Sequence, residues 1–176
     1  MDVAEVLISR FTALCSVLGT VAFLIGFVTP WWLKASALDS TAGLWRNCVG
    51  DHCIAVVRLD IGDWLVACQS LAITVLITSL MTIAVLVAMV RASSDSTATN
   101  ARYGAIATSL ITGVTVTVVL LIYYFQHHVL YPEEHYTISF SFFLVLVGGC
   151  LFMAVAAILA IFSVTVKLRH LARNPS

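Results

Sequence analysis

Charge is scarce in this sequence. Nine Lys and Arg and nine Asp and Glu make up 10% of the chain and cancel to a formal net charge of zero, against 61% hydrophobic residues. A water-soluble globule needs far more polar cover, so the composition excludes one and leaves a lipid bilayer as the solvent. No basic run is long enough to neutralise a row of phosphates, which removes nucleic acid from the expected partners. Catalytic constellations are missing too: there is no Ser–His–Asp set, no carboxylate pair inside an apolar run, no phosphate-cradling Gly loop and no redox Cys-x-x-Cys. An enzyme is not expected, nor a cofactor or resident metal. N-glycosylation acceptors are also lacking, because Asn47 and Asn100 have no downstream hydroxyl and Asn174 precedes Pro175.

What the sequence does have is four long apolar runs, at about 11–29, 64–90, 103–125 and 138–166. About twenty such residues span the hydrocarbon as a helix, because lipid offers no partners to backbone N–H and C=O groups. Pro30 closes the first run, at a helix end where its missing N–H does least harm. That run is long for a signal-peptide core and follows Asp2 and Glu5 rather than a basic stretch, so it reads as an uncleaved span. No charged residue lies in the middle of any run, which argues against a proton relay or transporter. The chain is expected to form a single four-span domain over 1–176, with outer loops at 30–63 and 126–137 and an inner connection at 91–102.

Lys and Arg are retained on the cytosolic side of a membrane. Arg10, Arg91, Arg102, Lys167, Arg169 and Arg173 fall on the side of the termini, and Lys34, Arg46 and Arg58 on the other. The bias places both termini in the cytosol and loop 30–63 outside. Cys48 and Cys53 lie in that outer loop, where disulfides persist. Cys15, Cys68 and Cys150 fall within or near spans, as small apolar residues. No cytosolic cysteine is left for palmitoylation.

The stretch from Trp45 to Arg58 has the pattern of a hairpin, with Gly50-Asp51 as a two-residue turn. Counting outward pairs Val49 with His52 and sets Cys48 opposite Cys53 in a non-hydrogen-bonded pair, where side chains approach most closely. A disulfide there would stabilise the hairpin by roughly 2 kcal/mol on the loop-entropy estimate. The other readings are two free thiols, or a zinc site on Cys48, His52 and Cys53. Zinc wants a fourth ligand where the loop has only carboxylates, so the disulfide is preferred.

Trp31-Trp32, then Gly43-Leu44-Trp45, then Cys48 and Cys53, all between the first two runs, resemble the W…GLW…C…C signature of the claudin superfamily. That group includes claudins, peripheral myelin and epithelial membrane proteins and the lens fibre intrinsic membrane protein. The four-span layout extends the resemblance over nearly the whole chain. The short Cys48–Cys53 interval, Asp63-Trp64-Leu65 with Gln69, and the segment from Tyr136 to Phe142 look closer to the lens fibre and myelin branch. The ending Arg173-Asn174-Pro175-Ser176 lacks the tyrosine-valine terminus by which many claudins dock PDZ scaffolds, so no such docking is expected. The fold the resemblance implies is an all-α membrane protein: a left-handed four-helix bundle topped by a small antiparallel β-sheet made mostly of the first loop, with Trp45 and its neighbours seating the sheet at the membrane surface. Trp31, Trp32 and Trp64 read equally as an aromatic belt at the lipid boundary.

Small residues at helical spacing mark contact faces in lipid. Cys15, Gly19, Ala22 and Gly26 form one stripe, Ala105, Ser109, Gly113 and Thr117 a second, and Gly149, Ala156, Ala160 and Ser163 a third. They are assigned to packing within one chain, leaving no evident polar path through the centre. Gln69 is expected to find an interhelical partner. The function the resemblance implies is a structural or adhesive role at cell–cell contacts of the plasma membrane, with self-association in the membrane and between cells. The alternatives are an auxiliary subunit of an ion channel or receptor, or a paracellular barrier or pore in which Asp39, Asp51, Asp60 and Asp63 bias passage toward cations. The bland reading of those four is a solvated loop surface. His127, His128, Glu133, Glu134 and His135 could sense pH or bind a metal, though such a cluster is more often merely wet.

Overall fold

The structure, a computed structural model, describes residues 3–35, 40–56, 63–92, 95–130 and 136–173. Four helices, α1 (Val3–Val28), α2 (Asp63–Arg91), α3 (Asp95–Leu130) and α4 (Phe140–Arg173), run up and down as a bundle. Each packs on its two neighbours in the ring α1–α2–α3–α4. Five short strands cap one end: β1 (Leu33–Ala35), β2 (Ser40–Ala42), β3 (Arg46–Val49), β4 (His52–Ala55) and β5 (Tyr136–Ile138). They form one antiparallel sheet in the order β4-β3-β2-β1-β5, so four strands come from the first loop and β5 closes the side from the far end of the chain.

All four helices are long and apolar enough to cross a membrane, as a multi-pass membrane protein requires. Their outward faces are apolar as well: Val66, Ile73, Ile77, Leu80 and Val87 of α2 and Ile111, Val114 and Leu121 of α3 are all exposed. A helix apolar all round needs lipid on the side its neighbours leave open. The buried face of α2 reads Leu65, Cys68, Ala72, Val75, Ser79, Thr82, Leu86 and Met89, alternating steps of three and four along one seam.

The helices outrun the apolar sequence. α1 begins at Val3 rather than near 11, and α3 takes in 95–102, so 92–94 alone connects α2 to α3. Residue 138 closes β5 instead of opening a helix. The helices span 26 to 36 residues, on the order of 40–55 Å at about 1.5 Å per residue. That exceeds a hydrocarbon core of about 30 Å, and hydropathy cannot mark the turns that lie beyond it.

Two apolar clusters fill the interior. One, beneath the sheet, holds Phe23, Trp32, Leu44, Leu65, Val75, Val116, Tyr123 and Val145. The other, toward the opposite end, holds Leu86, Met89, Ala105, Val155 and Leu159. Between them lies a band of buried hydroxyls from Ser16 and Thr20 of α1, Ser79 and Thr82 of α2, and Ser109 and Thr112 of α3. Most of these hydroxyls donate to a carbonyl one turn back in their own helix, as Ser16 does to Thr12 and Thr82 to Thr78. Thr112 also reaches Thr78 across the α2–α3 interface at 2.9 Å.

The small-residue stripes face neighbours within the chain. A Cβ added to Gly26 would lie 2.5 Å from Val145 Cγ2 and 2.7 Å from the Ser141 carbonyl of α4. Gly113 and Gly149 likewise admit Met153 and Val116 at the α3–α4 contact. Thr117, by contrast, is exposed.

Candidate functional site

The platform above the bundle is where the singled-out residues meet. α1 stops before Thr29-Pro30, since a residue preceding proline is pushed out of helical geometry. The last carbonyls of a helix have no partner within it. Here side chains supply them: Thr29 Oγ1 donates to Ile25 O at 2.6 Å, and Trp32 Nε1 donates to Gly26 O at 2.7 Å. Trp32 is therefore no part of an aromatic belt. Its indole is fully buried beneath the sheet, against the rings of Tyr123 and Phe142. Trp31, 45% exposed, does face outward. The backbone of the pair also starts α4, because Ser139 N donates to Trp32 O and Ser141 N to Trp31 O.

Gly43-Leu44-Trp45 turns the chain from β2 into β3 directly over this helix end. A Cβ on Gly43 would stand 2.8 Å from Pro30 Cα and 2.9 Å from Thr29 O, both backbone atoms, so only glycine fits. Leu44 is buried, and its carbonyl accepts Gln69 Nε2 at 2.7 Å. Gln69 thus ties α2 to the sheet rather than to another helix. Trp45 packs edge-on against Phe27 with ring centroids 5.2 Å apart, and its carbonyl accepts Val56 N. Its indole N–H is buried with no partner among the described residues. Trp64, half-buried, meets Tyr123 edge-on.

The hairpin has the expected register, with Cys48 opposite Cys53 and Val49 opposite His52. Gly50 takes a φ of +56°, the left-handed region that suits glycine at a tight turn. Cys48 and Cys53 form a disulfide, with Cα atoms 4.0 Å apart. Beyond it β4 is the outermost strand, exposed at all four positions. Val49 at the end of β3 and Ile54 within β4 leave 60% and 53% of their surfaces open.

Of the four aspartates, Asp51 is exposed at the hairpin tip, and Asp63 is exposed at the first position of α2, where a negative charge suits the helix dipole. Asp39 and Asp60 lie outside the described residues, as do Glu133, Glu134 and His135, while His127 and His128 belong to the last turn of α3. Among the described residues no group of three or more His, Cys, Asp or Glu could hold a metal ion.

One feature at the far end of the bundle escapes sequence reasoning. Arg102, assigned from the sequence to a connecting loop, is 7% exposed inside the bundle. Its Nη2 donates to Glu5 Oε1 of α1 at 2.6 Å, and its guanidinium lies over the Phe162 ring of α4, 4.7 Å from the centroid. One side chain joins three helices. The signal available was only a lone acid near the start of the first run and a lone base before the third. No known family model matches the chain, and no curated protein matches it.

Proposed function

We propose that this chain is a claudin-like four-span protein of the plasma membrane, its termini in the cytosol, whose outer sheet and lipid-facing helices engage copies of the same protein in the membrane and across cell contacts. The single observation that carries this is a rigid platform that ends in an open strand. Trp32, Gly43, Leu44 and Gln69 join the sheet to the bundle, the disulfide holds the hairpin, and β4, with exposed Ile54 on it and Val49 beside it, forms the sheet edge that no strand pairs with among the described residues. An unpaired edge is a template for another strand. A disulfide in the sheet supports an extracellular position, as does the excess of Lys and Arg on the side of the termini. The three-and-four alternation of the α2 seam supports left-handed packing of the bundle.

The test is a mixed culture of cells that do and do not express the tagged protein, in a line without junctions of its own. Enrichment is expected where two expressing cells touch, and it should fall when Cys48→Ser and Cys53→Ser are combined. Uniform membrane staining, together with co-purification of a channel and altered currents, would replace adhesion with an auxiliary-subunit role.

A further inference from the structure

Arginine is rarely buried, and when it is, each of its N–H donors needs a partner. Arg102 meets that demand only in part. One Nη2 hydrogen reaches Glu5, yet Nε–H is buried with no partner among the described residues. Across the same space the Ser9 hydroxyl, on a residue 2% exposed, is equally without one. This hydroxyl differs from the others along α1, since Thr12, Ser16 and Thr20 all donate to carbonyls of their own helix.

Ser9 and Arg102 both belong to the lining of one small cavity of about 10 Å³, together with Glu5, Ile8, Met89, Ala98, Leu159 and Phe162. That is about the smallest space an ordered water occupies, and a buried water also needs two to four polar partners. The cavity offers three of complementary kinds: a donor in Arg102 Nε–H, a hydroxyl in Ser9 that both donates and accepts, and an acceptor in the Glu5 carboxylate. Two orphaned polar groups in an apolar interior would be costly. We propose that this cavity is a binding site for one long-lived water, which accepts from Arg102 Nε–H and bridges it to Ser9 Oγ and Glu5, completing a polar clasp between α1 and α3 at the end opposite the sheet. A volume of about 10 Å³ suits a single water, and Ile8, Met89, Leu159 and Phe162 make the rest of the lining apolar.

The test is water–protein cross-relaxation in the full chain in nanodiscs, read at Arg102 Hε, whose resonance is assigned by its loss in Arg102→Lys. A bound water gives a cross-peak from the water frequency with the sign of the slowly tumbling protein. The peak is expected in the wild-type protein and in Ser9→Ala, where Arg102 and Glu5 still hold the water, and it should vanish in Ser9→Val, whose methyls fill the space. No peak in the wild-type protein overturns the proposal. Loss already in Ser9→Ala does so too, because the exchanging proton was then the serine hydroxyl itself, and persistence in Ser9→Val places the water elsewhere. Should Ser9→Val fail to fold, the wild-type and Ser9→Ala spectra decide between them.

Discussion

Trp32 and Trp31 are neighbours in sequence and opposites in the fold. Both follow directly on an apolar run, the usual place for a tryptophan at a membrane surface, yet one indole caps α1 and the other faces out. Trp32→Phe keeps an aromatic ring but leaves the Gly26 carbonyl only the long 3.5 Å contact from Thr29 Oγ1, and is expected to lower stability by about 1–3 kcal/mol. Trp31→Phe should change it by less than about 0.5 kcal/mol. Chemical unfolding in micelles compares the two, and equal effects would contradict the cap. Gly43→Ala drives a methyl into the Thr29-Pro30 backbone, which cannot rotate away, and should cost about 1–3 kcal/mol by the same measurement. At the other end, Glu5→Gln removes the charge that faces Arg102. Breaking a fully buried pair costs about 3–5 kcal/mol; with the Glu5 side chain 25% exposed, a loss on the order of 2 kcal/mol is expected. An unchanged midpoint would mean that the pair contributes nothing.

Among the elements, the β3–β4 hairpin is the one most fully legible beforehand. Its register follows from a two-residue turn and the period of two along a strand, both local properties, so Cys48 and Cys53 could be set opposite each other by counting. Combining Cys48→Ser with Cys53→Ser should destabilise the hairpin by about 2 kcal/mol. Amide exchange in 46–55 would then quicken by about thirtyfold, while amides in the middle of α2 and α3 keep their rates. Uniform quickening would show that the staple holds the whole molecule rather than its tip. The helices were legible in number and rough position, because lipid selects on composition alone, but not at their ends. The first turn of α1 is held to α3, two turns in from its start, by the Glu5–Arg102 pair, a contact 97 residues apart in the chain. The hydroxyl band was missed for a related reason: Ser and Thr are tolerated anywhere in an apolar helix, and only rotation about the helix axis decides whether they face lipid or the interior.

For the molecule as a whole, orientation is open to direct test, because its lysines sit at opposite ends. Lys34 is exposed on β1 and Lys167 on the last turns of α4. A membrane-impermeant amine reagent applied to intact expressing cells should modify Lys34 and spare Lys167 until the cells are opened. The reverse pattern would invert the topology and remove the extracellular role of the sheet. What the sequence determined by itself is everything that depends on composition or on near neighbours: four apolar helices, a hairpin and its register, and the pairing of Cys48 with Cys53. Only the tertiary structure decided that Gln69 holds the sheet, that Trp32 is interior, that β5 joins the strands of the first loop, and that Arg102 is buried. Each of these joins segments distant along the chain, and such contacts form only when the bundle brings their partners within the few ångströms over which hydrogen bonds and close packing act.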